Sequence, residues 1–236
     1  MDKVKAYFIN RVKRTSTVES FRFATEGKIN FFPGQFLQMI FDKDDLQNKN
    51  LNKYLSFSSS PAEDYIEVTK RISGSEFSKR LLSLRKGEEV IIRAPMGKVY
   101  FNEAYRKIGF LVGGIGITPV MSILSYIVEK KLDTDAFLLY SSRTEDEIAF
   151  KDEIEVWSRD NKNIRVYFCI TETKPEKDKY IRGVINKDII YDNVSDIHDR
   201  IIFIYGPPKM VESMKNICLQ TGCEIEKIQT ENFAGY

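Results

Sequence analysis

The sequence of 236 residues contains one histidine, His198, and three cysteines, Cys169, Cys218 and Cys223. Three cysteines cannot supply the four thiolates that hold an iron–sulfur cluster. A single histidine excludes a His-rich metal centre and argues against a catalytic triad built on histidine. Any redox chemistry in this chain must therefore depend on an organic cofactor rather than on a metal.

An excess of charge of one sign is also missing, because Lys+Arg 36 against Asp+Glu 34 leaves a formal net charge of +2. No bulk electrostatic field therefore favours nucleic acid or an anionic membrane as a partner. The longest apolar stretches, such as residues 110–120, are far shorter than the ~20 residues of a membrane span. Because the first ten residues carry no apolar signal region, we expect a cytoplasmic protein.

Composition is that of an ordinary globular protein, with 42% hydrophobic and 30% charged residues. In the first hundred or so residues apolar side chains alternate with polar ones, as in Val4, Ala6 and Phe8, which is typical of strands. The predicted strands cover residues 4–9, 20–25, 36–41, 65–72 and 89–94, and one short helix covers 76–83. Several short strands separated by turn residues predict a small antiparallel β-barrel.

The second half changes its period. Residues 108–112 form a short, wholly apolar run, which is typical of a strand covered on both faces. After it, an apolar stripe at helical spacing predicts a helix that Pro119 opens; the stripe comprises Val120, Ile123, Leu124, Ile127 and Val128. Further strands are predicted at residues 136–141, 164–170 and 200–206. Alternation of strands and helices predicts a parallel sheet, so we expect domains at 1–102 and 103–236.

Two more helices complete this half. Thr144 and Glu147 have the spacing of a capping box, which predicts a helix that directs Phe150, Ile154 and Trp157 inward. A last helix follows the strand at 200–206 and precedes the segment 224–231; its predicted apolar face comprises Met210, Met214, Ile217 and Cys218. Residues 171–180 are polar and are predicted to form a loop.

A glycine-rich turn, residues 113–119, lies directly between a predicted strand and helix. Glycines there let backbone amides approach a pyrophosphate, and the helix N-terminus adds partial positive charge. The alternative interpretation is a plain tight turn, and Pro119 replaces the third glycine of the dinucleotide fingerprint. A second turn, residues 205–210, also follows a strand. Both turns are predicted at the carboxyl edge of one sheet, where ligands bind in open parallel sheets.

In the first half, residues 53–61 place several hydroxyl groups beside the cation Lys53. This combination suits a phosphate or the polar edge of a ring. Taken alone, the segment is better explained as an ordinary serine-rich loop.

Seven short motifs, in order along the whole chain, together resemble the ferredoxin–NADP reductase superfamily. They are Pro33-Gly34-Gln35-Phe36, Lys53-x-x-Ser56-x-x-Ser59, Ser78-x-x-Leu81 with Lys86-Gly87, Pro95-x-Gly97, Gly114-x-Gly116-x-x-Pro119, Gly206-Pro207-x-x-Met210 and Glu231-Asn232-Phe233. The resemblance implies an N-terminal antiparallel β-barrel that binds flavin and a C-terminal α/β domain with a parallel sheet that binds NADPH or NADH. It also implies hydride transfer from nicotinamide C4 to flavin N5.

FAD is expected rather than FMN, because residues 74–81 supply a second pyrophosphate anchor. The resemblance further implies a separate acceptor such as ferredoxin or flavodoxin. Two alternatives remain open, namely an electron-transfer subunit of a larger complex and a binding module that has kept the fold without turnover. The sequence does not determine the acceptor, the direction of electron flow or the oligomeric state, and it indicates no metal.

The resemblance also assigns roles to residues. Ser56 bonds the flavin N5 edge, Lys53 neutralises the pyrophosphate, Thr118 lies beside the nicotinamide, Phe233 covers the flavin, and Glu231 holds a charge or a proton near the reacting centre. The other residues expected to contact flavin are Tyr54, Leu55, Phe57, Ser58, Ser59, Lys70, Gly74, Phe77, Ser78 and Tyr236. Those expected to contact the nucleotide are Gly114, Gly116, Pro119, Arg143, Gly206, Pro207 and Met210.

Four positions depart from, or extend beyond, the family pattern. Lys53 stands in the place of an arginine, which replaces a bidentate fork by a point charge. Leu55 stands in the place of a stacking tyrosine, and Tyr205 in the place of a cysteine. Tyr236 extends past the usual terminal aromatic, where it either stacks on the cofactor or frays. Arg143 favours NADP slightly over NAD, its alternative role being a charge near a helix start.

Two further features have competing interpretations. Cys218 is expected in the core, and its spacing from Cys223 leaves a redox pair as the less favoured interpretation for a cytosolic protein. Residues 1–40 carry seven basic and three acidic side chains. This excess of +4 would steer an acidic carrier, although a solvated strand face is the more common explanation.

Overall fold

A computed structural model of the chain describes residues 2–172 and 180–233. The chain divides into two compact units, the first comprising Met1–Phe101 with Thr118–Glu129 and the second Asn102–Ile117 with Lys130–Tyr236. The predicted boundary between residues 102 and 103 stays a prediction. The grouping of residues 118–129 with the first unit is a feature that helical periodicity does not reveal.

The first unit contains an antiparallel sheet of six strands. They are β1 (Asp2–Lys13), β2 (Val18–Thr25), β3 (Phe36–Ile40), β4 (Asn52–Ser56), β5 (Ile66–Arg71) and β6 (Glu89–Met96), and they are arranged in the order β4-β3-β6-β1-β2-β5. The two edges meet just beyond β4, where Phe57 forms a bridge with Val68 of β5. The sheet therefore curls into a barrel.

The barrel forms because alternate side chains of its strands enter one apolar core. Ala6, Phe8, Phe21 and Phe23 are all buried there. Helix α1 (Glu76–Leu82) adds Phe77 to the same core, after Ser75 caps its first turn by accepting a hydrogen bond from the Ser78 amide.

The second sheet lies in the second unit and is parallel throughout. Its strands are β7 (Lys107–Gly113), β8 (Asp135–Ser142), β9 (Ile164–Ile170), β10 (Ile181–Arg182), β11 (Ile201–Gly206) and β12 (Ile228–Asn232), in the order β10-β9-β8-β7-β11-β12. The helices in the second half of the chain are α2 (Ile117–Glu129), α3 (Lys151–Asp160), α4 (Lys187–Asn193) and α5 (Pro208–Gln220).

Wholly apolar runs become the central strands of this sheet, since both of their faces are buried. Leu111, Phe137 and Phe203 are inaccessible to solvent. Helix α5 packs on β11 and β12, and it buries Met214 and Cys218. The predicted fold class, an antiparallel barrel followed by a parallel α/β sheet, is confirmed.

Some local predictions are wrong. Thr144 makes no side-chain capping bond; a single 3₁₀ turn, Glu145–Glu147, follows it, and α3 begins only at Lys151. Phe150 precedes α3 in the left-handed conformation, with φ of 60°. Local hydrogen bonding of the 3₁₀ turn thus replaces the predicted capping box. Of the residues predicted to point inward, Trp157 is only half-buried.

Strands β4 and β10 and helix α4 are among the elements that have no counterpart in the sequence predictions. Strand β4 is short and rich in polar residues, and it exists because it pairs with β3 along its whole length. Strand β10 has two residues and pairs with the end of β9. Helix α4 begins after Asn186, whose side chain accepts a hydrogen bond from the Ile189 amide.

Within the described residues, none of the helices has both the length and the apolar character that crossing a bilayer requires. In the same part of the chain, no group of three or more His, Cys, Asp or Glu side chains is placed to hold a metal ion.

Candidate functional site

In the first unit, β4 carries two polar side chains that have no hydrogen-bond or ion-pair partner among the described residues. Ser56, the last residue of the strand, is 5% exposed, and its hydroxyl makes no hydrogen bond with any described residue. Lys53, half-buried on the same strand, has no ion-pair partner in the described ranges. Buried polar groups normally have hydrogen-bond partners. The Ser56 hydroxyl and the Lys53 ammonium therefore indicate a surface at which a ligand binds.

A second ammonium group lies near Lys53. Lys70 of β5 is 7% exposed, and its Nζ donates to the carbonyl oxygen of Arg71 over 3.2 Å. Burial lowers the pKa of Lys70, and the positive charge of Lys53 lowers it further. Two ammonium groups that repel each other across adjoining strands form a local positive charge that a phosphate would neutralise.

The exposed aromatic ring of β4 belongs to Tyr54. Its side chain is 57% exposed, and its ring meets that of Phe36 edge-on, with centroids 5.9 Å apart. Leu55, by contrast, is 5% exposed and belongs to the barrel core. The predicted apolar cover from Leu55 thus has little accessible surface, whereas Tyr54 offers a ring face.

Other residues of the predicted flavin segment face the barrel interior. Phe57 is inaccessible and stacks on Phe31, with centroids 3.8 Å apart and an interplanar angle of 15°. Phe77 is also inaccessible and packs against Phe41. These two rings stabilise the core and present no surface to a ligand in this structure.

Ser58 and Ser59 both form hydrogen bonds with Glu67, a buried residue of β5. The Ser58 hydroxyl donates to Glu67 Oε1 over 2.9 Å, and Ser59 Oγ accepts from the Glu67 amide over 2.9 Å. Glu67 is 3% exposed and is paired with Arg14 and Arg22 at 3.1 and 2.9 Å. The hydroxyls of both serines are therefore engaged within the protein. Two of the basic residues expected to steer a carrier are likewise neutralised.

A cluster of serine hydroxyls follows β5. Ser73 and Ser75 both lie within hydrogen-bond distance of Ser78 Oγ, at 3.3 and 3.1 Å. Ser78 is inaccessible to solvent, whereas Ser73 and Ser75 are exposed. Gly74 between them has open space where a side chain would extend. The structure therefore joins Ser78 to a hydroxyl cluster at the end of β5, the strand that carries Lys70.

In the second unit, both predicted glycine turns lie at the carboxyl edge of the sheet. A Cβ on Gly116 would stand 2.5 Å from the carbonyl oxygen of Tyr205, and one on Gly113 would stand 2.3 Å from Met210 Sδ. The turn after β7 and the turn after β11 are therefore in direct contact, and at Gly116, which faces backbone atoms, only glycine fits. Gly114, between them, adopts φ of +54°.

The helices that follow these turns have N-termini without acidic side chains. No acidic residue occupies the first turn of α2, where Thr118 and Pro119 are both buried, or the first turn of α5. Pro207 is exposed and precedes α5 without a side-chain capping bond. The amides that open each of these helices can therefore favour an anion.

Tyr205 and Glu231 are paired opposite each other on β11 and β12. The phenol oxygen of Tyr205 is buried without a hydrogen-bond partner among the described residues. Burial raises the pKa of Glu231 to about 7, and no described residue forms an ion pair with it. The ring of Phe233 stands edge-on to Tyr205, with centroids 6.4 Å apart. This corner of the sheet thus holds a carboxyl that can keep a proton near neutral pH.

Arg143, just past β8, is already engaged. It donates to both carboxylate oxygens of Glu147, over 3.1 and 2.8 Å, and Glu172 lies 3.9 Å away. A nucleotide 2′-phosphate at this position would meet two carboxylates. Tyr236, the remaining candidate, lies outside the described residues.

Two buried polar clusters were not predicted from the sequence. One is centred on Glu67 and the other on Arg200, which is inaccessible and pairs with Asp135 and Asp196 at 2.8 Å each. The partners are 65 and 4 residues from Arg200, so the longer pairing has no local sequence signal.

Comparison with known proteins is consistent with this architecture. Residues 110–216 match the oxidoreductase NAD-binding domain family. A nitrate reductase [NADH] of Cichorium intybus is 28% identical over 59% of this chain, which spans 17% of that protein. The glycine betaine monooxygenase reductase subunit of Pseudomonas aeruginosa is 28% identical over 94% of this chain, which spans 62% of it. The chain thus covers less than two thirds of these relatives.

Among solved structures, a ferredoxin NADP⁺ reductase from Neisseria gonorrhoeae with bound FAD and NADP has the same fold. The TM-score is 0.81 at 17% identity, and the match covers 98% of this chain and 99% of that one. Residues 110–216 therefore match an oxidoreductase NAD-binding domain, and the chain as a whole has the fold of that ferredoxin NADP⁺ reductase.

Proposed function

We propose that this chain is a flavin-dependent oxidoreductase that takes hydride from a nicotinamide nucleotide and passes electrons to a separate acceptor. The proposal depends on two groups of residues, one in each unit, that are able to bind a ligand. Lys53 and Ser56 are unpartnered within the described part of the first unit, and the glycine turns of the second unit present acid-free helix N-termini. Each site has the chemistry that one of the two cofactors requires.

The residues of the first unit fit a flavin. Lys53 and Lys70 form the positive charge that a pyrophosphate neutralises, and the serine hydroxyls at 73–78 offer further donors, which favours FAD over FMN. Ser56 offers a hydroxyl for the polar edge of the ring, and Tyr54 offers an aromatic face. Bound flavin would supply the hydride acceptor at its N5 atom.

The residues at and just after the carboxyl edge of the parallel sheet fit the nucleotide. The contact between the two glycine turns brings backbone amides to one edge of the sheet, where they can bind a pyrophosphate. Thr118 stands in the first turn of α2, next to these amides in the sequence. Glu231 can hold or release a proton near neutral pH, since burial raises the pKa of its carboxyl.

We further propose that NADH is preferred over NADPH. Arg143 forms a bidentate pair with Glu147 and lies near Glu172, so a dianionic 2′-phosphate would have to displace one carboxylate and approach another. A ribose 2′-hydroxyl, by contrast, can donate to Glu147 without any such cost. The slight preference for NADP expected from Arg143 alone is therefore not what this geometry favours.

The acceptor is proposed by class only. One relative is the reductase subunit of a monooxygenase, and one solved structure of the same fold is the ferredoxin reductase in carbazole 1,9a-dioxygenase. These support a separate one-electron carrier, such as a ferredoxin or flavodoxin, as the partner. Cytoplasmic location stays a prediction from the sequence.

The test is anaerobic titration of the purified, FAD-loaded protein with NADH. We expect the visible absorbance band of the flavin to bleach at one equivalent of NADH, and at a lower rate with NADPH. Lys53→Met should weaken flavin retention about tenfold or more, since one charge-assisted hydrogen bond is lost. Lys53→Arg is the matched control and should retain flavin at least as tightly. A protein that cannot be loaded with flavin, or a band that NADH leaves unchanged, would contradict the proposal.

A further inference from the structure

The C-terminal end of α5 brings two cysteine side chains into contact with each other. Cys218 lies in the last turn of the helix and Cys223 five residues later, and both side chains are buried in the same apolar cluster. The backbone amide of Cys223 donates to the carbonyl oxygen of Cys218 over 3.0 Å. Gly222, with φ of +90°, turns the chain back between them. The turn therefore holds both sulfur atoms in one place.

Thr221 fixes this arrangement further. Its hydroxyl donates to the Cys218 carbonyl oxygen over 2.8 Å and lies 3.7 Å from Cys223 Sγ. On its other side, Cys223 Sγ is 3.6 Å from the carbonyl oxygen of Ile197. The Cys223 sulfur is thus surrounded by the partner thiol, a hydroxyl and a carbonyl group rather than by apolar atoms alone.

The two thiols are chemically unequal. The interaction between the two side chains raises the pKa of Cys218 and lowers that of Cys223 to about 7, although burial opposes the second effect; the nearby Lys227 ammonium adds to the lowering. Cys223 is also the more accessible of the pair, at 5% against 0%. The pair therefore combines a thiolate-forming cysteine with a neutral thiol at its side, as a reversible dithiol requires.

Cys169 provides the internal contrast. It is inaccessible, burial alone raises its pKa to about 12, and its thiol makes no hydrogen bond with any described residue. It has the properties of an inert core cysteine.

We propose that Cys218 and Cys223 are a reversible dithiol–disulfide site that a peroxide oxidises. The Cys223 thiolate attacks one peroxide oxygen, the O–O bond breaks, and hydroxide leaves and takes up a proton to form water. Cys218 sulfur then attacks the resulting sulfenic acid at sulfur. The S–O bond breaks, the hydroxyl leaves with the Cys218 proton as a second water, and the S–S bond forms. Two thiols and one hydrogen peroxide thus give one disulfide and two waters.

Peptide mass spectrometry tests the site on the intact protein. Trypsin cleavage after Lys215 and Lys227 releases one peptide, residues 216–227, that contains both cysteines, whereas Cys169 lies in another. After treatment with hydrogen peroxide and alkylation, we expect this peptide to be two hydrogen masses lighter than the reduced form and to carry no alkyl group. Dithiothreitol should restore both alkylation sites, and Cys169 should stay reduced throughout.

Folding should promote the bond, because the two cysteines are also close in an unfolded chain. With hydrogen peroxide at neutral pH, we expect oxidation in native buffer to be about fivefold faster than in urea. A larger fraction of Cys223 is thiolate in the folded protein, and the weaker nucleophilicity that comes with its lower pKa offsets only part of that gain. The Cys169→Ser protein should behave like the wild type, and the Cys218→Ser protein should form no intramolecular bond.

The proposal is overturned if the native peptide remains fully alkylated, if Cys223 accumulates as sulfinic acid without a bond, or if disulfide-linked dimers form instead. Oxidation that is no faster in the native protein than in urea would also overturn it. These outcomes do not depend on whether the protein binds flavin or NADH.

Discussion

The two edges of the parallel sheet use polar groups in opposite ways. At the amino edge, Arg200 is inaccessible, and its guanidinium is bonded to Asp135, Asp196 and the carbonyl oxygen of Ile108. At the carboxyl edge, the Tyr205 hydroxyl is buried without a hydrogen-bond partner in the described ranges. At the amino edge, the Arg200 guanidinium forms hydrogen bonds only within the protein. At the carboxyl edge, the Tyr205 hydroxyl forms none with the described residues and remains able to bond to a ligand.

The barrel repeats this contrast over a few residues. Ser58 and Ser59 bond to Glu67, whereas Ser56 and Lys53 bond to no other side chain in the described segments. Polar groups that are buried and saturated specify the fold, and those left open mark where a ligand completes the bonding. The variants below test this difference in order of expected effect.

The largest effect is expected at the saturated edge. Arg200→Met removes the cation that two carboxylates share, so we expect the free energy of unfolding to fall by about 3 kcal/mol. Urea denaturation of the flavin-loaded protein measures this loss. Arg165→Ala is the control, because this more exposed partner of Asp135 should contribute under about 1 kcal/mol. NADH reduction of the flavin should be unchanged in both variants below their melting temperatures, and a large catalytic loss in Arg200→Met would contradict the contrast.

A smaller loss of stability, combined with loss of function, is expected at the glycine turns. Gly116→Ala places a methyl group 2.5 Å from the Tyr205 carbonyl oxygen, so the two turns must separate. We expect a destabilisation of about 2 kcal/mol and at least a tenfold rise in the Kd for NADH, measured by fluorescence titration. Gly27→Ala, which has open space around its Cβ, should change neither quantity. Unaltered NADH binding in Gly116→Ala would remove the turn from the nucleotide site.

Glu231 should make stability depend on pH. The pKa of this carboxyl is about 7 in the folded protein and 4.5 in its ordinary environment, because burial disfavours the charged form. Its contribution to stability is therefore fully present below pH 4.5 and is lost as the pH rises through 7. Glu231→Gln should be more stable than the wild type by on the order of 1 kcal/mol at pH 8 and equally stable at pH 4. Urea unfolding at both pH values checks this, and equal stability at pH 8 would refute it.

The smallest effect is expected at Arg143. Glu147→Gln removes the carboxylate that holds the Arg143 guanidinium in a bidentate pair. The ratio of kcat/KM for NADPH to that for NADH should therefore rise about fivefold. Arg143→Ala should leave the ratio of the wild type nearly unchanged, because the arginine is already engaged. A collapse of NADPH use in Arg143→Ala would instead show that this arginine binds the 2′-phosphate in the wild type.

Periodicity in the sequence predicts most of the fold because burial follows it. Alternation in residues 4–9 places Ala6 and Phe8 in the barrel core, and all five residues of the apolar run 108–112 are buried in β7. The short strand β4 is not predictable in this way, since its formation depends on pairing with the preceding strand β3 across the connection formed by residues 41–51. The same holds for Glu67, an inward-facing charge whose partner Arg14 lies 53 residues earlier.

The candidate site is predictable as segments but not as individual side chains. The glycine turns and the residues 53–59 are the segments that the sequence indicates. Within the second segment, however, strand geometry and the Glu67 pairing decide which side chains stay open. Tyr54 rather than Leu55 is exposed. The Ser59 hydroxyl accepts a hydrogen bond from the Glu67 amide, whereas the Ser56 hydroxyl has no partner among the described residues. Sequence motifs carry no information on this competition for hydrogen bonds.

The most direct test compares Ser56→Ala with Ser59→Ala in two measurements on the same samples, namely the rate of flavin reduction by NADH and the free energy of unfolding. We predict that Ser56→Ala slows reduction at least tenfold while stability changes by under about 0.5 kcal/mol, because only an open hydroxyl is lost. Ser59→Ala should lose about 1–2 kcal/mol of stability and keep its reduction rate, because the buried Glu67 amide loses its acceptor. If instead Ser59→Ala loses activity and Ser56→Ala loses only stability, open polar groups do not mark the site.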